Sequence, residues 1–91
     1  MVTAFVLINS KRDKIVETAE ALSGLEGVSE VYSVAGQYDI VAVMRVKTNE
    51  QMAELVTGKM LKMPGIERST TIIAFRTYSK FDLERMFAIG T

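Results

Sequence analysis

No cysteine, histidine or tryptophan occurs in the 91 residues, and proline occurs once. The missing cysteine removes disulfides, zinc thiolate sites, redox motifs and thiol nucleophiles together. Without histidine there is no imidazole to act as general base or to activate a serine, so the common apparatus of hydrolytic catalysis is absent. Net charge is missing too: eleven basic residues balance eleven acidic ones, which leaves no long-range field to attract nucleic acid or an anionic membrane and permits self-association. No stretch approaches the ~20 apolar residues that span a bilayer. The apolar opening, Val2 to Ile8, follows no basic residues and is cut off by Asn9-Ser10-Lys11-Arg12-Asp13, which is not the layout of a secretory leader. A cytoplasmic location follows, since small secreted domains usually carry disulfide staples. Neither a metal nor a cofactor is expected.

What is present is the mix of a globular domain, 48% hydrophobic and 24% charged. The length suits a single domain, residues 1–91. A domain this small is marginally stable, and without metal or disulfide the remaining support is a partner subunit.

A repeat organises the chain. Shifted by 38 residues, Val2, Ala4, Val6 and Ile8 fall on Ile40, Ala42, Met44 and Val46, and Gly27-Val28 falls on Gly65-Ile66. Each half reads as strand, capped helix, glycine turn and strand. Val2 to Asn9 is apolar on both faces, with Phe5 and Leu7 opposed to Val6 and Ile8. Ser10 with Asp13 marks a helix start, and Ile15, Ala19 and Leu22 form the apolar stripe of a helix from about Arg12 to Ser23, stopped by Gly24. Val28 to Ala35 alternates as a strand, with Glu30 and Tyr32 set against Val31 and Ser33. Gly36-Gln37-Tyr38 turns the chain, and Asp39 to Lys47 returns. In the second half Thr48 and Gln51 form a capping box, and Met52, Val56, Met60 and Met63 line a helix from about Asn49 to Lys62. Gly58 inside that helix costs up to ~1 kcal/mol against alanine, which points to close packing there. Pro64-Gly65 ends the helix, Ile66 to Thr77 is the last strand, and Ser79 with Asp82 caps a short C-terminal helix carrying Leu83, Met86 and Phe87.

This order predicts an α+β fold, a ferredoxin-like βαββαβ antiparallel sheet with both helices on one face. Two helices cover one face only, yet the first and third strands are apolar on both. A second copy packed sheet to sheet, a dimeric α/β-barrel arrangement, is the economical remedy.

The chemistry on offer is sparse. The helix carboxylates Glu17, Glu20, Glu50, Glu54 and Glu84 read as solvated faces, so no enzyme is expected and no catalytic residue is assigned. The third strand carries no stacking aromatics, nothing reads as a helix-turn-helix, and Lys59 and Lys62 suit the last turn of a helix, so direct nucleic-acid binding is not expected. The methionines on the second helix are core packing or, alternatively, a plastic binding surface. Phe75, Tyr78, Phe81 and Phe87 belong to a terminal segment docked on its own domain or on a neighbouring subunit. Two polar places interrupt the apolar sheet: Gly36-Gln37-Tyr38-Asp39, and Arg68-Ser69-Thr70-Thr71. Either they are ordinary turn and strand-end chemistry, or they gather donors and acceptors to hold a small zwitterion.

Gly36-Gln37-Tyr38-Asp39-Ile40, followed by Lys62-Met63-Pro64-Gly65-Ile66 and Ser69-Thr70-Thr71, resembles the effector (RAM) domain of the Lrp/AsnC transcription regulators. The tail Phe81-Asp82-Leu83-Glu84 with Phe87-Ala88-Ile89-Gly90 is similar to the ending of stand-alone members. The resemblance covers essentially the whole of 1–91 and lacks the helix-turn-helix domain of those regulators. It implies a sheet-packed homodimer, assembly of dimers into a ring, and a small amino acid bound where dimers meet. By motif position, Gly36, Tyr38 and Asp39 would line that site from the hairpin and Ser69, Thr70 and Thr71 from the last strand. Such a protein would sense an amino acid or co-assemble with full-length Lrp/AsnC regulators. Two other readings stand beside it. One is an ACT-like module, whose ligand would sit near Asn9-Ser10-Lys11; the other is a ligand-free assembly scaffold.

Overall fold

The computed structural model describes residues 1–78. Four strands form one antiparallel sheet: β1 (Val2–Ser10), β2 (Val28–Ser33), β3 (Ile40–Val46) and β4 (Ile66–Ile73), in the order β2-β3-β1-β4. The two strands related by the 38-residue repeat, β1 and β3, are therefore the central pair, and the ferredoxin-like expectation holds. The C-terminal helix expected beyond Ser79 lies outside the described residues. Among those residues no helix is long and apolar enough to cross a membrane.

Cross-strand partners share a face. Val6 pairs with Ala42, Ile8 with Ile40, and Ala4 with Met44, and all six are fully buried beneath the helices. On the opposite face Phe5 pairs with Val43 and Ile72, and Leu7 with Val41 and Thr70. Phe5, Tyr32 and Ile72 are 39%, 49% and 49% exposed there, so the two-sided apolar character of β1 leaves a real uncovered surface.

Expectations for the first helix and for the strands need correction. Ser10 does not cap the first helix. It is the last residue of β1, its hydroxyl donates to the Lys11 carbonyl at 3.1 Å, and the helix opens instead as a 3-10 turn (Arg12–Lys14) before α1 (Ile15–Ser23). The strict alternation expected in β2 is broken by a bulge: Val28 faces Met44 and Glu30 faces Val43, with Ser29 as the extra residue. Val28 and Val31 can then both pack on the core although an odd number separates them. The strands are also shorter than their apolar runs, β2 stopping at Ser33 and β4 at Ile73.

The second helix starts as expected. Thr48 accepts the Gln51 N–H at 3.1 Å while Gln51 Oε1 accepts from the Lys47 and Thr48 amides, completing the capping box of α2 (Asn49–Ala53). It then widens to a π segment (Glu54–Lys59) and closes with a 3-10 turn (Met60–Lys62). Residues five apart diverge by about 140° on an α-helix. The wider turn brings Leu55 and Met60 to the same side, where both are buried, and the Met60 amide donates to the Leu55 carbonyl. The buried row is accordingly Met52, Leu55 and Met60, with Val56 and Met63 half-buried beside it, so these methionines serve the core. Gly58 is not closely packed: a β-carbon there would meet only Glu54 Cγ at 3.4 Å. The close approach is at Gly65, which faces Thr18 of α1.

Candidate functional site

The hairpin between β2 and β3 is held by backbone. Gly36 has φ +125, a left-handed-side conformation that favours glycine, and the Val34 amide donates to the Asp39 carbonyl at 2.9 Å. Asp39 extends the pairing towards β1. Its own amide donates to the Ile8 carbonyl at 2.9 Å, and its Oδ2 accepts the Ser10 amide at 2.9 Å. Asn9 Nδ2 donates to the Gln37 carbonyl at 2.8 Å. The end of β1 is thus tied to the hairpin at several points.

On the other side of β1 the start of β4 is irregular. Arg68 faces Asn9 and Ile66 faces Ser10, so Glu67 is an extra residue in a β-bulge. Bulges bend a strand and re-aim its side chains. Here Asn9, Ser10, Arg12, Gln37, Asp39, Glu67 and Arg68 line one cleft of about 560 Å³. Among the described residues no apolar side chain lines it. Two arginines and two carboxylates do, and among the described residues none of the four forms an ion pair within 4 Å.

Of the six residues singled out by motif position, Asp39 lines this cleft. Gly36 and Tyr38 stand in the same hairpin, Gly36 exposed with no atom within 4 Å of where a β-carbon would project and Tyr38 half-buried. Strand alternation divides the other three. Ser69 and Thr71 pair with Ile8 and Val6 and lie on the helix-bearing face, whereas Thr70 pairs with Leu7 on the open face. Asn9, Ser10, Arg12, Gln37, Glu67 and Arg68 are cleft residues that the motif does not assign. Arg68 is visible in the polar run before Ser69, but the bulge that sets Glu67 beside it has no sequence marker.

Two further depressions lie elsewhere. One of about 480 Å³, at the far end of the sheet, is bordered by Gly27, Lys47, Glu54 and Lys59; another of about 250 Å³ lies between α1 and Pro64-Gly65. Tyr32, Glu30, Arg45 and Ser29 form a polar group on the open face. The Tyr32 hydroxyl donates to Glu30, Arg45 Nη1 lies 3.8 Å from Glu30 Oε1, and it donates to Ser29 Oγ at 2.7 Å. The hydrogen bond that the Tyr32 hydroxyl donates to Glu30, and the negative charge of that carboxylate, raise the Tyr32 pKa above its ordinary 10.0.

The fold, with a polar cleft between hairpin, first strand end and last strand, defines a small α+β domain of the ferredoxin-like class. Residues 3–83 match the model of the Lrp/AsnC ligand binding domain, and the chain belongs to that family. It is 35% identical over 78 residues to an uncharacterized HTH-type transcriptional regulator of Pyrococcus furiosus, covering 82% of this chain and 52% of that protein. It is 34% identical over 77 residues to the HTH-type transcriptional regulator FL11 of Pyrococcus abyssi, covering 85% of this chain and 50% of that one. The chain therefore spans about half the length of these relatives, both HTH-type transcriptional regulators. Among solved structures it is similar to TTHA0845 from Thermus thermophilus, at 44% identity and TM-score 0.83, covering 88% of this chain and all of that one.

Proposed function

We propose that this domain binds a small amino acid in the cleft at Asp39 and transmits that binding through contacts between subunits. It is a cytoplasmic regulatory module, not an enzyme, and acts on transcription through full-length Lrp/AsnC regulators with which it co-assembles. The observation that carries the reading is the cleft itself, where charges of both signs, none in an ion pair among the described residues, meet beside the Gly36–Asp39 hairpin. A free amino acid presents an ammonium and a carboxylate, and a site must satisfy both. Asp39 Oδ2 is engaged by Ser10, which leaves Oδ1 for the ammonium. Gly36, Tyr38, Ser69, Thr70 and Thr71 complete the site when the open sheet faces pair into a dimer and dimers close a ring. Zero net charge gives the domain no long-range field to draw in nucleic acid, so a defined DNA duplex is not expected to be retained at physiological salt.

Membership of the Lrp/AsnC family favours this reading over an ACT-like module. The position of a ligand would separate the two poorly, since Asn9 and Ser10 line the same cleft as Asp39. Calorimetry of the assembled protein against the twenty amino acids is the test. One or a few bind, and Asp39→Asn, which keeps an acceptor for the Ser10 amide but removes the charge, weakens them ten- to a hundredfold, as loss of a charged hydrogen bond of roughly 1.5–3 kcal/mol requires. Absence of binding at millimolar concentration would leave a ligand-free assembly scaffold.

A further inference from the structure

We propose, resting on the pairing of the open sheet faces, that the segment leaving β4 is an arm that docks on a further copy of this chain, with Phe75 seated in the groove between α1 and Pro64-Gly65. Phe75 is fully exposed and Tyr78 is 78% exposed, so their own domain covers neither ring. Strand alternation says which side the arm serves. Ile73 pairs with the buried Ala4, which sets it on the helix-bearing side, and the Ala74 amide still donates to the Thr3 carbonyl at 2.9 Å. Phe75, two residues after Ile73, falls on that same side. Packing of the open sheet faces therefore leaves Ile73 and Phe75 in water.

The groove is the complement of that arm. It holds about 250 Å³, and Ala21, Met63 and Pro64 with the stems of Lys11 and Lys14 make its wall mostly apolar. An aromatic ring suits it beyond the area it buries, because a thioether sulfur and an ammonium group both attract a ring. Glu17 at the border bridges Lys14 through Oε2, which leaves Oε1 for Arg76 beside Phe75. The arm cannot reach its own groove. That groove lies at the Ile66 end of β4, roughly 23 Å from Ile73 at the usual rise of a strand, and two residues span at most about 7 Å. Groove and arm stand at opposite ends of each copy, so the contact joins unlike surfaces and passes from copy to copy. One ring in one groove is too small to hold copies together alone, since stable interfaces bury about 1,200 Å² or more. It links pairs that the sheet faces have already formed.

The chain has no cysteine, so introduced ones report the contact cleanly. Glu17 and Arg76 are both exposed, and Glu17→Cys with Arg76→Cys in one full-length chain puts a thiol on each side. A disulfide forms only where the two α-carbons come within about 7 Å. On oxidation the double variant gives a ladder of linked chains on a non-reducing gel, and either single variant gives none. Phe75→Ser added to the double variant removes the ladder, Phe75→Tyr keeps it, and circular dichroism confirms that all fold. Val16→Cys with Arg76→Cys is the control, its thiol about 100° round α1 from Glu17, and it gives no ladder. A missing ladder from a protein that sediments as a pair or larger overturns the arm contact alone. So does a ladder that survives Phe75→Ser, or an equal one from the Val16 control. A wild type that sediments as a monomer overturns the sheet pairing on which the contact rests.

Discussion

The Thr18 hydroxyl occupies the space that a β-carbon on Gly65 would need. Thr18 is buried in the α1 face that otherwise presents Ile15, Ala19 and Leu22 to the core, and its hydroxyl lies 3.5 Å from Ser10 Oγ. The Gly65 carbonyl in turn accepts the Lys11 amide at 2.9 Å. The Pro-Gly pair thus does more than end a helix: it lets the start of β4 close against the first strand–helix turn, and both border the cleft.

Gly65→Ala is expected to cost about 1–3 kcal/mol through overpacking. At fixed protomer concentration that lowers Tm by roughly 4–8 °C per kcal/mol. Because the opposing atom is one hydroxyl, Thr18→Ala in the same chain recovers part of the loss, and thermal melts of the four proteins of the double-mutant cycle measure a coupling of about 0.5 kcal/mol or more. Strict additivity would show that Gly65 is required for some reason other than Thr18.

Gly58 predicts the opposite sign. Its φ is not positive, and a β-carbon would meet Glu54 Cγ at an ordinary 3.4 Å. Gly58→Ala should therefore stabilise the protein by about 0.4–1 kcal/mol, by reducing the freedom of the unfolded chain and improving helix propensity. A chemical denaturation midpoint that falls instead would mean that the π segment needs glycine.

These two glycines show where the sequence is readable. Element order and the strand–helix–strand plan of each half follow from local patterns repeated twice, and repetition makes a weak signal strong, whereas the Thr48–Gln51 capping box is legible from its own spacing alone. The bulges at Ser29 and Glu67 and the π turn after Ala53 each add a residue out of phase, and a strict period of two or 3.6 misses such insertions. Such a period leaves Leu55 off the helix stripe and Glu67 out of the site. Asp39 is legible because it sits in a motif, but its bond to Ser10 joins residues 29 apart and depends on the β1–β3 register.

Tyr32 supplies a titration that reports on the open face. Its hydrogen bond to Glu30 and that carboxylate's charge favour the protonated phenol, so its pKa lies above 10.0. The sign follows: stabilisation by this contact is complete below pH 10, the ordinary tyrosine value, and is lost as pH rises through the higher folded value. An ultraviolet titration of the wild type minus that of Tyr32→Phe isolates the group. In Glu30→Gln the midpoint drops toward the ordinary value; an unchanged midpoint would show that Glu30 does not hold the phenol.

The open sheet face makes the sharpest demand on assembly. Phe5, Tyr32 and Ile72 stand exposed on it around Leu7 and Val41, which is an apolar surface of the kind that monomers seldom leave in water. Two such faces packed about 10 Å apart would remove it, and the polar group around Glu30 and Arg45 would form its rim. Sedimentation of the wild type should then give at least twice the protomer mass of 10.1 kDa. Phe5→Asp buries an unpaired charge in that interface at a cost of several kcal/mol, and should dissociate or unfold the protein. Val16→Asp is the matched control: Val16 is 68% exposed on α1, away from the sheet, so the same change there leaves the mass unaltered. A wild type that sediments as a monomer, or a Phe5→Asp protein that keeps its oligomeric mass, would show that the sheets do not pair.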